Sequence, residues 1–164
     1  MNIFVTDQAV FALGYAGLIL RRLGAGTWQR LPGPWPEKAS EFVNLVAGVE
    51  GPQGELWAEA ADGSVISVAG EVVRTVAQVP GEPLGITRFQ RQWFVSTLAG
   101  YYELPGDGDS VLAKQNILMG KSIDAGAWLI AFDAEPQFPD GAEIHVWLRT
   151  RSRNRWFRQV VCRP

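Results

Sequence analysis

The sequence predicts an all-β domain built from about four copies of one antiparallel strand unit. Three observations lead there. Residues 10–20, 56–66 and 93–102 each carry an aromatic residue, a glycine six positions later and an apolar run beyond it: Phe11 and Gly17, Trp57 and Gly63, Phe94 and Gly100. With Gly141 as the marker of a fourth, weaker copy, the glycines recur roughly every 41 positions, and a period of that size marks a repeat architecture. The 18 glycines and 10 prolines are spread along all 164 residues, as expected where many short strands are joined by tight turns.

Each marker glycine lies between two β-rich runs, where a turn needs positive φ or small bulk. The runs on either side are therefore expected to form a hairpin. Further runs flank each hairpin: residues 2–6, 42–49, 84–89 and 121–124 before it, and 27–31, 72–79, 110–118 and 155–162 after it. This gives four strands per unit, with units of about 1–36, 37–81, 82–120 and 121–164. Ile3-Phe4-Val5 is apolar at every position and suits an inner strand, whereas Thr27-Trp28-Gln29-Arg30-Leu31 is mixed and suits an outer one. In the fourth unit an insert around Glu135-Pro136-Gln137-Phe138-Pro139 is expected to separate the two hairpin strands. One segment competes with this pattern. Ala39, Phe42, Val43 and Val46 have helical spacing between a start at Pro36-Glu37 and a stop at Gly48; a helix there would replace the inner strand of the second unit.

Four four-stranded units of about 41 residues are the pattern of a β-propeller, with a β-sandwich or irregular barrel as the alternative. The segment Gly54-Glu55-Leu56-Trp57-Ala58 leading to Asp62-Gly63-Ser64-Val65 resembles the repeat units of bacterial propellers. Gly24-Ala25-Gly26-Thr27-Trp28 resembles a degenerate Asp-box, the hairpin turn of sialidase-like and photosystem-assembly-like propellers. It lacks that motif's serine and aspartate. Ser152-Arg153-Asn154-Arg155-Trp156 is a fainter echo. The resemblance implies a fold and leaves the function open.

The chemistry available to the chain is narrow. His145 is the only histidine and Cys162 the only cysteine, so the usual structural zinc sites and an intrachain disulfide are excluded. His145 alternates with Ile144, Val146 and Leu148 and reads as an ordinary strand residue. Asp107-Gly108-Asp109 reads as a polar turn, short of the ligands a calcium loop needs. There is no glycine-rich nucleotide fingerprint. No catalytic residue, metal ligand or cofactor is assigned.

Two features suggest contact with a partner. Six of the seven tryptophans fall at strand positions and are expected to pack between units. Trp35 instead lies between prolines in Leu31-Pro32-Gly33-Pro34-Trp35-Pro36, where a stiff loop presents a large aromatic. The second feature is charge. Residues 1–148 carry nine Lys/Arg against seventeen Asp/Glu, a balance of −8, and residues 149–164 carry six Arg and no acid. Arg149, Arg151, Arg153, Arg155 and Arg158 thus form either a solvated hairpin tip or a patch for an acidic partner.

The expected function is non-catalytic protein–protein interaction, for which an inhibitor or immunity-type protein occluding a basic toxin or enzyme is one concrete form. The alternative is a glycan-binding or glycan-active propeller. Nucleic acid is disfavoured by a pI of about 5.4. The longest apolar run, residues 9–20, is too short to span a membrane, and a cytoplasmic location is expected. No strand is left over to latch the ends of a ring, so a homodimer joined through the terminal units is a further expectation, with Phe4 and Val160 as its contacts.

Overall fold

The computed structural model describes residues 1–105, 110–114, 121–137, 141–150 and 153–162; in the last sheet, side chains are described at Ser122, residues 124–131, Arg149, Trp156 and Phe157. The chain is all-β, as the repeats predict. The described strands form four antiparallel sheets of four, each continuous in sequence. The first holds β1 (Asn2–Val5), β2 (Val10–Leu13), β3 (Ile19–Gly24) and β4 (Thr27–Leu31). The second holds β5 (Leu45–Glu50), β6 (Leu56–Ala60), β7 (Ser64–Ala69) and β8 (Val72–Gln78). The third holds β9 (Pro83–Phe89), β10 (Gln92–Thr97), β11 (Gly100–Leu104) and β12 (Val111–Lys114). The fourth holds β13 (Lys121–Asp124), β14 (Trp128–Gln137), β15 (Gly141–Thr150) and β16 (Arg153–Cys162). In every sheet the strands neighbour one another in chain order.

Each marker glycine falls in the second hairpin of its sheet, between the second and third strands or at the start of the third. At Gly63 the reason is clear. Its φ is +82°, its N–H donates to the Ala60 carbonyl at 2.9 Å, and its carbonyl accepts from Val79 N at 2.9 Å. A Cβ at that position would lie 2.5 Å from the Val79 carbonyl oxygen, so both the conformation and the space demand glycine.

The competing helix between Pro36 and Gly48 amounts to one turn, α1 (Glu37–Ser40), and β5 supplies the inner strand of the second sheet, within the run expected at residues 42–49. Backbone pairing decides the outcome. Gly17 N donates to Val43 O at 2.7 Å, Leu45 N to Gly14 O at 3.1 Å, and Ala61 N to Asn44 O at 2.7 Å. Residues 43–45 thus satisfy turns of two sheets at once, a use of the backbone that a continued helix forbids. The insert expected around Glu135 is also absent as a loop over its described part. Residues 135–137 and 141–143 prolong the hairpin, with Glu135 opposite Glu143 and Gln137 opposite Gly141.

The sheets pack face to face through apolar layers. β1 lies beside β5, β5 beside β9, and β9 beside β13, so the first strands of successive sheets adjoin. Between sheets one and two, Phe11, Leu13, Ile19 and Leu31 meet Leu56, Ala58, Ile66 and Val68. Between two and three, Trp57, Val65 and Val79 meet Ile86, Trp93, Val95 and Tyr102. The ring centroids of Trp57 and Trp93 are 5.2 Å apart. Between three and four, Phe89, Phe94 and Tyr101 meet Leu129 and Ala131, with Trp156 against them.

The expectation that strand tryptophans pack between sheets holds for Trp57, Trp93 and Trp156 and fails for Trp28 and Trp128, which are 38% and 40% exposed. Trp28 sits on the outermost strand of its sheet and Trp128 at the start of β14, away from the apolar layers. The side chain of Trp147 lies outside the described residues.

Candidate binding surface

The middle strands β6, β7, β10 and β11 are buried on both faces almost throughout. Polar groups there are placed with care. The Glu55 carboxylate accepts from Trp57 Nε1 at 2.8 Å and from Gln53 N at 2.7 Å, which locks the entry to β6. Tyr101 Oη and Ser122 Oγ lie 2.8 Å apart, and Ser122 Oγ donates to Thr87 Oγ1 at 2.7 Å, tying sheets three and four together. Burial pushes the Tyr101 phenol well above its ordinary range.

Glu59 is the exception. It lies in the middle of β6, fully buried, with neither carboxylate oxygen hydrogen-bonded. Its strand partners are Ala47 and Val65, and it shares the face of β6 that carries Trp57 toward the third sheet. Burial raises its pKa from 4.5 to about 8, so the group is protonated at neutral pH. Sequence reasoning passed over it. The only signal was its place within the otherwise apolar Leu56-Trp57-Ala58-Glu59-Ala60.

Trp35 packs on the first apolar layer beside Leu31 and donates its indole N–H to Asp62 Oδ2 at 2.8 Å. Asp62 Oδ1 in turn accepts from Ser64 N at 2.9 Å and Ser64 Oγ at 2.6 Å. The loop between sheets one and two is thereby pinned to the Gly63 turn. A cleft of about 430 Å³ opens beside the half-buried Trp35 ring, lined by Ala16, Gly17, Arg30, Leu31, Glu37 and Ser40 among others.

Of the arginines of the predicted patch, Arg149 is the one whose side chain is described. It is buried, its Nη2 lies 3.4 Å from Glu103 Oε2, and its guanidinium sits 4.7 Å from the Phe94 ring centroid and 5.9 Å from that of Trp156. Glu103 also accepts from Gln92 Nε2 at 2.7 Å. The planar guanidinium suits this stacked setting between sheets three and four, which withdraws Arg149 from solvent. Arg153, Arg155 and Arg158 fall on β16, with side chains outside the described residues; Arg151 is wholly outside them, as are residues 107–109. His145 pairs with Val160, and Cys162 with Ile144; their side chains are likewise outside the described set. Among the described residues no three of His, Cys, Asp or Glu gather as metal ligands, and no helix is long and apolar enough to cross a membrane.

Two apolar side chains open to solvent stand at the inner edge of the outward face of the first sheet, whose centre, at Ala12, is buried. Alternation along β1 turns Phe4 inward, where it packs on the first layer, and turns Ile3 and Val5 outward, at 62% and 74% exposure. Phe4, expected as a dimer contact, thus lies on the inward face of the sheet. Register carries the same face across the sheet: Ile3 opposite Ala12, Val5 opposite Val10, and Ala12 opposite Leu20. Exposed Met1 lies at one end of this edge. Arg22, Trp28 and Arg30 continue the face on its outer side.

A scan against protein-family models returns no match, and neither does a search of curated proteins.

Proposed function

We propose that the chain is a non-catalytic protein-binding domain of the β-propeller type. The propeller reading is supported by four successive antiparallel sheets whose first strands adjoin. The binding reading is carried by one observation, the exposed apolar pair of Ile3 and Val5 on the outward face of the first sheet. Ile3 and Val5 stand on one face with the half-buried Val10 and Leu20, and exposed apolar side chains grouped in this way suit an interaction surface. The acidic balance of residues 1–148 suits a basic target such as the toxin or enzyme of an inhibitor or immunity-type pair. The test is a photo-crosslinking residue at Ile3 in the producing cell, with exposed Leu98 as the control. A stoichiometric protein adduct at Ile3 alone is expected. Its absence would remove the reading.

A second reading has its own observation. The cleft beside Trp35 sets an aromatic ring among Arg30, Glu37 and Ser40, a mixture suited to a sugar. Glycan-array binding that is lost in Trp35→Ala would favour it.

A further inference from the structure

Sheets one to three share a polarity. The aromatic of the second strand, six residues before the marker glycine, points toward the following sheet each time. Phe11 enters the layer with sheet two, Trp57 the layer with sheet three, and Phe94 the layer with sheet four. Every one of these sheets therefore has a donating face and a receiving face. On sheet two the receiving positions include Leu56, Ala58 and Ile66, all without exposure. Counted from the marker glycine, their equivalents on sheet one are Val10, Ala12 and Leu20. These lie on the outward face with Ile3 and Val5. The first sheet thus carries a complete receiving face, and among the described residues no sheet covers Ile3 and Val5.

We propose that this face is covered by the fourth sheet of a second copy, two chains joining head to tail into one ring of eight sheets. The proposal rests on the protein-binding reading above and names the partner of that surface. Its occupant follows from polarity. The fourth sheet turns Leu129 and Ala131 toward the third. Alternation along β14 therefore sets Trp128, 40% exposed, and Ile130 on the opposite face, the face that stands where the first three sheets donate. A sheet-one-on-sheet-one dimer would set two receiving faces together and leave both fourth sheets unmatched.

Area separates the arrangements as well. Four strands about 4.8 Å apart, each about five residues long at about 3.3 Å per residue, present a face on the order of 300 Å². A head-to-tail pair covers two such faces per chain, in the range of the ~800 Å² of accessible surface that each partner gives to a standard interface. A single sheet-one contact covers half as much. Two heterologous contacts close by two-fold rotation, and eight sheets lie within the usual range of about four to eight propeller blades.

The mass of the 164-residue chain in solution, followed by light scattering across a wide concentration range, tests this. A single species of twice the 18.0 kDa chain mass is expected. Ile3→Glu combined with Val5→Glu should give a monomer with an unchanged far-UV spectrum. A wild type that stays monomeric at all concentrations overturns the proposal, as does a mass that grows without limit or one indifferent to the double substitution. The photo-crosslinker at Ile3 keeps the test open if the double variant fails to fold. Self-adducts should map to residues 121–162 of the other copy. Self-adducts mapping to residues 1–31 overturn the head-to-tail arrangement. A stoichiometric adduct with a different protein overturns the second copy while leaving the protein-binding reading intact, and no adduct at all removes both.

Discussion

Glu59 offers the sharpest quantitative test. Its carboxyl is fully buried in β6 without a hydrogen-bond partner, and burial lifts its pKa from 4.5 to about 8. The folded state therefore holds this proton more tightly than the unfolded state does. The stabilisation is fully present below the unfolded pKa of 4.5 and is lost as pH rises through the folded pKa of about 8. At about 1.4 kcal/mol per pH unit, the gap between the two values corresponds to about 5 kcal/mol, a large share of a typical domain's stability. Glu59→Gln keeps the shape and removes the titration. Urea denaturation of both proteins from pH 4.5 to pH 9 should give nearly equal stabilities below pH 5. The variant should then gain progressively, leading by about 3–5 kcal/mol at pH 9. Other titrating groups are common to both proteins and cancel in the difference. A difference that changes by less than about 1 kcal/mol across that range would refute the reasoning, because the carboxylate would then have to reach water or a partner in the folded state.

Three further outcomes follow from the same contacts. Gly63→Ala should cost well over the ~1 kcal/mol of a strained left-handed residue, since its Cβ would lie 2.5 Å from the Val79 carbonyl, whereas Gly70→Ala, at φ +61° with nothing within 4 Å, should cost only that strain; equal melting temperatures would show the Gly63 turn to be looser. Trp35→Phe should lose the bond to Asp62 and about 1–2 kcal/mol of stability, read by thermal unfolding, and no loss would free the loop from the turn. Phe11→Ala should cost about 3–5 kcal/mol, as expected of a side chain without exposure in the first apolar layer, and a cost below about 1 kcal/mol would contradict that packing.

Much of the architecture was legible because turns and periodicity are local. Gly17, Gly63 and Gly100 take up positive φ at their hairpins, Gly141 opens β15, and β-rich runs on both sides supply the strands. What depends on distant contacts was not legible. Residues 39–46 have helical spacing, yet the backbone of residues 43–45 is taken up by Gly14, Gly17 and Ala61. Ile3-Phe4-Val5 is apolar throughout, so sequence alone could not say which side faces the neighbouring sheet. Arg149 belongs by composition to an arginine-rich end, but the rings of Phe94 and Trp156 and the carboxylate of Glu103 hold it inside. Glu59 follows an alternation that usually brings a charge to water; a strand covered on both faces has no such side.

The central claim is that Ile3 and Val5, on the outward face of the first sheet, are uncovered in a single chain. The direct measurement is the thiol-labelling rate of Ile3→Cys in a Cys162→Ser background, followed from dilute to concentrated protein. The account predicts rapid labelling of the monomer and protection that grows as the dimer forms. Protection at every dilution in a chain that stays monomeric would contradict it, because the face would then be covered by the chain's own residues.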